Sequence, residues 1–525
     1  MARWLWLATV PMALAGVGGG AHAQDAEAIL TGKCAACHER TDDGLARIKD
    51  QRKTPEAWDM TIVRMMQLHG VEVSDAERAT LVKHLADTQG LAPAETDGYR
   101  YILEREPSTF EEPSTDELGA MCARCHSYAR VALQRRTEEE WRKLAHFHLG
   151  QYPTTEYQAL GRDRNWWELA SEQLPGELAE LYPLETPEWA AWRERPTPDL
   201  AGRYRVIGEQ PGRGAFEGTS DVSADGEDTY SYQYEITYED GTTESGDGLG
   251  ILYTGYEWRG STTIGDSAIR EVYRLAEDGS EASGRFFLAD SDALGGPLRS
   301  VRMDGDSRVL AVWPPYLRAG EATNLAIHGI GLDGAVTLGA GVTVQEVVSS
   351  DAETVVVRAS ADAGAASGPR TVSVGSADAD ALLTVYQSID FLTVEPSYNI
   401  ARVGGGGGPI PPVPAQFEAV AWLQGPDGQA GTDDDIEIGA MPAQWAVENF
   451  DEVAAQFDDA AFAGEMQAGG LFMPAEAGPN PERPFDTNNA GNLKVIATVE
   501  DGGQTVTGEG QLLVTVQRWN DPPIR

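Results

Sequence analysis

Two pentapeptides could do chemistry that the rest of the chain cannot: Cys34-Ala35-Ala36-Cys37-His38 and Cys122-Ala123-Arg124-Cys125-His126. Cys-x-x-Cys-His is the attachment pattern of c-type haem, in which both thiols form thioethers to the porphyrin vinyl groups and the adjacent His becomes an axial iron ligand. The chain has 4 cysteines, all inside these motifs, so none is left for a disulfide. Two Cys-x-x-Cys pairs could also build a four-thiolate zinc site, and one pair beside a βαβ pattern could be a redox dithiol. Neither accounts for a His directly after the second Cys of both copies. The residues therefore predict two covalent haems, with Cys34, Cys37, Cys122 and Cys125 as attachment points and His38 and His126 as iron ligands.

Haem iron in an electron carrier usually takes a second protein ligand, commonly Met or His. Each motif is followed by a helix that opens on Trp. In register, Trp58-Asp-Met-Thr-Ile-Val-Arg-Met65 stands against Trp141-Arg-Lys-Leu-Ala-His-Phe-His148. Met65 and His148 then fall at the same place, two turns after their Trp and on the same helix face. After the first motif the possible ligands are Met60, Met65, Met66, His69 and His84; after the second, the helical region offers only His146 and His148. The register selects Met65 for the first haem and His148 for the second, making one His/Met and the other bis-His. A small error in register would pass these roles to Met66 or His146. Otherwise Met60 and Met66 read as core residues of an amphipathic helix, and His69 and His84 as surface or hydrogen-bonded groups. A thioether ligand raises the potential of the first haem above the second, so electrons are expected to arrive at the second and leave from the first.

Helices must carry these side chains, and the N-terminal part of the chain reads as helical. Trp58, Ile62, Met65, Met66 and Leu68 recur at helical spacing, as do Ala79, Leu81, Val82 and Leu85. Ser74-Asp-Ala-Glu77 and Thr137-Glu-Glu-Glu140 are capping boxes. Trp166, Trp167, Trp189 and Trp192 close the region as packing residues, while Arg162 and Arg164 could instead pair with haem propionates. From Gly202 the period becomes two: Tyr230, Tyr232, Tyr234, Ile236 and Tyr238 alternate with polar residues before an Asp240-Gly241 turn. The expected organisation is a multidomain α+β chain. A signal peptide at 1–23 precedes an α-helical dihaem cytochrome c domain at 24–195 and a small antiparallel β domain at 196–305. Two immunoglobulin-like β-sandwiches follow at 306–390 and 391–525.

A short basic stretch ending at Arg3 leads into an apolar run, broken by Pro11 and too short to span a bilayer. Ala21-His22-Ala23 is a small-x-small cleavage site. Removal after Ala23 predicts a periplasmic protein with no membrane span, in the compartment where c-type haem is attached. The formal net charge of −43 argues against nucleic acid or an anionic membrane as partner, and is compatible with a cationic amine or a basic redox partner. The acidic run 427–435 is dense in oxygen donors, but its spacing is not an EF-hand, and an acidic hairpin loop accounts for it better than Ca²⁺. No phosphate loop, Gly-x-Ser-x-Gly or zincin helix occurs, and no catalytic residue is expected on this chain.

Both haem motifs, the Arg64-Met65-Met66 helix with His69-Gly70, and the run from His146-Phe-His148-Leu-Gly-Gln-Tyr to Arg-Asp-Arg164 resemble the α subunit of the quinohaemoprotein amine dehydrogenase family. The likeness covers essentially the whole mature chain, four-domain order included. It implies a periplasmic heterotrimer in which primary amines become aldehyde and ammonia at a cysteine tryptophylquinone. That cofactor is carried by a small γ subunit beside a β-propeller subunit, not by this chain. The α subunit's two haems take the electrons and pass them to azurin or a small cytochrome c. On this reading the chain is the electron-transfer subunit of an oxidoreductase acting on CH-NH2, and its β domains grip the other subunits. A different reading is a free-standing periplasmic dihaem cytochrome whose Ig-like domains serve docking or adhesion. A dihaem peroxidase would need a releasable sixth ligand, and its usual chain lacks the β-rich C-terminal half.

Overall fold

The structure is a computed structural model and describes residues 19–106, 108–152, 164–405 and 411–516. Most of the expected leader at 1–23, and Arg162, lie outside these residues.

The N-terminal region begins with α1 (Gly19–Gly32), a 3-10 turn at Cys34–Ala36 and a small hairpin of β1 (Arg40–Thr41) and β2 (Gly44–Leu45). Strand β3 (Gln51–Lys53) leads into α2 (Pro55–His69), followed by α3 (Asp75–Thr88) and α4 (Pro93–Thr96). The second motif ends α5 (Asp116–Cys122); α6 (Ala129–Ala132), β4 (Gln134–Arg136) and α7 (Glu138–Gln151) follow it. The region is less uniformly helical than its periodicity predicts, because 3-10 turns, short strands and loops separate the helices. Thr54 caps α2 by accepting from Ala57 N–H, with Pro55 in the first turn, where no N–H is needed. At the other end Gly70 takes φ 67° and its N–H returns to Met65. Ser74 and Glu77 form the expected capping box. At Thr137 only half the box exists: its hydroxyl accepts from Glu140 N–H, while the Glu140 carboxylate accepts from Arg47 and Lys143 instead. Two cations outbid one backbone N–H for that carboxylate.

Strands β3 and β4 pair antiparallel, Gln51 opposite Arg136, Arg52 opposite Arg135 and Lys53 opposite Gln134. Each strand runs into a Thr cap and a helix that opens on Trp, so the pair relates the two haem-motif halves by a local twofold. The repeat Gln51-Arg-Lys-Thr54 and Gln134-Arg-Arg-Thr137 is its mark in the sequence. Arg52 and Arg135 meet at the axis, both buried. They share Glu95, whose carboxylate has five donors: Arg52 at 2.8 and 2.9 Å, Arg135 Nε at 3.1 Å, Thr186 Oγ1 at 2.9 Å and Ala92 N–H at 2.7 Å. Burial pushes the Glu95 carboxyl up, but the guanidinium bonds outweigh it and hold the group below the usual range.

The expected small β domain closes into an eight-stranded antiparallel barrel: β5 (Gly202–Gln210), β6 (Gly214–Gly226), β7 (Thr229–Tyr238), β8 (Thr243–Tyr253), β9 (Glu257–Ile264), β10 (Ser267–Leu275), β11 (Glu281–Leu288) and β12 (Ser291–Arg302). Each strand pairs with the next, and β12 returns to β5 from Leu298 opposite Gly208 to Arg302 opposite Tyr204. Tyr230, Tyr232, Tyr234, Ile236 and Tyr238 of β7 are all buried, so the alternation in the sequence is the barrel's inward face. The rings need room. A Cβ at Gly250 would lie 2.0 Å from the Trp258 ring, so only glycine fits there.

Next come two four-stranded sheets, ordered Arg308–Trp313, Ala322–Ile330, Thr354–Ala361, Val342–Ser350 and Tyr316–Arg318, Ala377–Tyr386, Gly368–Val374, Val336–Thr337. They share a core of Leu325, Ile327, Val357, Val372, Leu383 and Val385. The strands from Phe391–Glu395 to Gln504–Thr515 build three sheets on a second core that includes Val394, Phe417, Phe472, Val495 and Leu512. The haem region seats on the barrel. Tyr256 donates to Leu91 O at 3.1 Å, Trp192 Nε1 donates to Thr254 O at 2.8 Å, and Glu257 lies between Arg100 and Arg259.

Candidate haem centres

The 3-10 turn after α1 forms because Cys37 and His38 both donate backbone N–H to Cys34 O, at 3.1 and 3.0 Å. Cys34 is half-buried against the apolar cluster of Leu30, Trp58, Ile62 and Leu81, whereas Cys37 is exposed. His38 Nδ1 lies 2.9 Å from Ala46 O. A carbonyl only accepts, so Nδ1 carries the proton and Nε2 keeps its lone pair for a metal.

The second motif repeats the logic. Cys122 is half-buried at the end of α5, Cys125 is exposed, and His126 Nδ1 lies 2.9 Å from Ser127 O. His148 on α7 points Nδ1 at Leu144 O, 2.8 Å away and one turn back. The His126 and His148 ring centres are 6.4 Å apart with a 44° interplanar angle. Two metal–imidazole bonds of about 2 Å, added to ring radii of about 1 Å each, put two imidazoles on one ion with centres roughly 6 Å apart. At that separation the pair could hold one iron between its two Nε2 atoms.

Burial holds the Cys34 thiol above its ordinary range and pushes Cys122 up to about 12. Among the described residues no three His, Cys, Asp or Glu side chains gather into a metal-binding group.

Met65 is half-buried on α2. Met66 packs into the Trp58 cluster that also receives Cys34. Met60 Sδ accepts from Arg130 at 3.4 Å, and His69 is exposed. His84 is half-buried, which lowers its pKa. His146 lies edge-on to Trp167 at 4.8 Å, while His148, two residues on, meets His126.

Three neighbouring buried or half-buried cations, Lys53, Arg64 and Arg136, were not singled out by sequence reasoning; for two of them the twofold repeat was the available signal. Lys53 donates to Thr61 Oγ1 at 2.8 Å under the Trp58 ring, and Arg136 lies over Trp141 at 5.5 Å. Burial drives Lys53 well below its ordinary pKa and lowers Arg136 to about 10. Arg64 stacks on Phe147 at 5.2 Å. In the acidic loop, Asp435 accepts from the N–H groups of Gly425, Gly431 and Thr432, and Asp434 from Asp427 N–H, so those carboxylates hold the hairpin's own backbone.

Four family models match successive parts of the chain. "Quinohemoprotein amine dehydrogenase A, alpha subunit, haem binding" matches residues 24–189, and the alpha subunit's domains II, III and IV match 197–303, 306–387 and 392–524. No curated protein matches the chain. Among solved structures, a redesigned beta barrel, mFAP1, bound to DFHBI is 13% identical over 20% of this chain and 94% of its own, with TM-score 0.18. The Bacteroides ovatus mixed-linkage glucan utilization locus protein SGBP-B, in complex with a mixed-linkage heptasaccharide, is 12% identical over 62% of this chain and 72% of its own, with TM-score 0.18. Mouse clustered PcdhgC3 EC1-3 is 11% identical over 47% and 86%, with TM-score 0.16. At these TM-scores none of the three carries a fold assignment.

Proposed function

The chain belongs to the quinohemoprotein amine dehydrogenase alpha-subunit family, and on that premise we propose that it is the two-haem electron-transfer subunit of a periplasmic amine dehydrogenase. Cys34 and Cys37 would hold one haem covalently, with His38 and Met65 binding its iron; Cys122 and Cys125 would hold the other, with His126 and His148. Bound there, haem supplies one-electron redox chemistry. The chain's own work is positional. The carbonyls of Ala46, Ser127 and Leu144 set the tautomer and orientation of the three imidazoles, which keeps each Nε2 ready to bind. Helix α7 delivers His148 to His126, and the same seven-residue spacing after Trp58 supports Met65 over the core-packed Met66.

The remaining parts of the reading follow the family. The leader would be removed after Ala23, and the domains divide at about residues 195, 305 and 390, the last two being Ig-like. These β domains would grip a β-propeller subunit and a small subunit bearing the cysteine tryptophylquinone, where primary amine becomes aldehyde and ammonia. A soluble carrier such as azurin or a small cytochrome c would take the electrons. The observation that carries the proposal is the His126–His148 pair at 6.4 Å.

Native purification from cells grown on a primary amine tests it. The chain should copurify with two other polypeptides, carry two haems by pyridine haemochrome, and show haem reduction when amine is added. Recovery of the chain alone, with haems that amine does not reduce, would overturn it.

A further inference from the structure

We propose that Arg64, backed by Lys53 and Arg136, seats a haem propionate carboxylate; this rests on the reading of His126 and His148 as ligands of one haem. Arg64 stands on α2 immediately before Met65, and its guanidinium lies 5.2 Å over the ring of Phe147, which immediately precedes His148 on α7. It thus sits between the two helices that carry both proposed sixth ligands. Burial works against its charge; among the described residues its only favourable titratable neighbour is the Tyr152 hydroxyl, and no carboxylate pairs with it.

The groups behind it deepen the imbalance. Lys53 and Arg136 are both buried, and their polar contacts are neutral: Thr61 Oγ1 for Lys53 and the Gln134 side-chain oxygen for Arg136. Around Lys53 stand Arg136, Arg64 and Arg47, with Glu140 the one carboxylate in the set. Glu140 already accepts from Arg47 at 3.1 Å and Lys143 at 3.1 Å. Among the described residues these cations, Lys53 and Arg136 buried and Arg64 half-buried, have no carboxylate of their own, an arrangement that an anion would complete. Arg64 lies over Phe147, the neighbour of His148, and Arg136 over Trp141 of the same helix α7. The missing anion therefore belongs beside the imidazole pair. A haem brings two carboxylates on flexible arms at its edge, and a guanidinium binds a carboxylate in a bidentate, directional way.

The test uses the full chain matured with its haems, as wild type, Arg64→Gln and Arg64→Lys. Covalent haem is counted first, because a wild-type chain without haem would overturn the underlying reading rather than this one. With both haems in place, Arg64→Gln should weaken reduction at one haem at least tenfold, a downward shift of about 59 mV for one electron. The carboxylate bands of the redox-difference infrared spectrum should move with it. Should Arg64→Gln fail to load haem, Arg64→Lys is read instead, with a smaller shift in the same direction. Unchanged potentials and carboxylate bands in a fully loaded variant overturn the proposal. So does a wild-type potential that moves when chloride is exchanged for phosphate at fixed ionic strength, which would mark the seat as holding a free anion.

Discussion

An imidazole serves an iron only if one nitrogen keeps its lone pair and the ring is held still. At His38, His126 and His148 a backbone carbonyl does both by accepting from Nδ1. The Cys-x-x-Cys-His residues were legible because their chemistry is contiguous in the chain. The second ligands were legible only as a register; Met66 packs in the Trp58 core and His146 against Trp167, contacts that favour the proposed choice of Met65 and His148. Met65→His should therefore lower the higher of the two midpoint potentials toward the lower one, since thioether ligation is what raises it. Met66→His should leave both potentials in place and cost stability instead, by about 2 kcal/mol or more for a polar ring in an apolar cluster. Potentiometric titration of the two variants distinguishes them, and a potential shift confined to Met66→His would reassign the ligand.

At the scale of elements, the alternation of β7 announced an inward-facing row but not the barrel, because pairing of β12 with β5 joins the two ends of the domain and leaves no trace in either strand. The closed interior has a chemical consequence. Glu271 on β10 is buried; this raises its carboxyl to about 7, against the opposing bonds from Tyr232 at 2.8 Å and Trp258 Nε1 at 3.3 Å. Its unfolded value is near 4.3. Between roughly pH 4.3 and 7 the folded chain then holds a proton that the unfolded chain has released, so barrel stability falls as pH rises through this window. The loss amounts to about 4 kcal/mol above pH 7. Glu271→Gln removes the titration. Its melting temperature should be flatter than wild type from pH 4.5 to 7 and higher at pH 8, and parallel wild-type and variant curves would contradict this.

Across the whole molecule, the haem region and the barrel share a buried ionic seam. Glu257 accepts from Arg100 and from Arg259 at 2.8 Å, and Arg259 also bonds Glu56 on α2. Burial pushes the Glu257 carboxyl up, yet the two guanidiniums outweigh it and keep it below the usual range. Removing that charge takes a carboxylate from each of two buried cations, leaving Arg100 with Glu104 and Arg259 with Glu56, a change expected to cost about 3 kcal/mol. Glu257→Gln should accordingly split the calorimetric transition of the two regions, with the barrel and the haem region melting separately. A single transition shifted as a whole would show that the apolar contacts around Tyr256 and Trp192 suffice to couple them.

The sequence by itself determined the family, the two Cys-x-x-Cys-His motifs, the capped helices that flank them and the change from period 3.6 to period 2 near residue 200. These are properties of neighbours along the chain, where spacing alone tells which side chains share a face. Only the tertiary structure decided what each face meets: His126 opposite His148, Arg52 and Arg135 closing on Glu95, Lys53, Arg64 and Arg136 gathered together, and a sheet whose last strand returns to its first. Each depends on residues far apart in the chain meeting across a packed interface, and periodicity names a face without naming its partner.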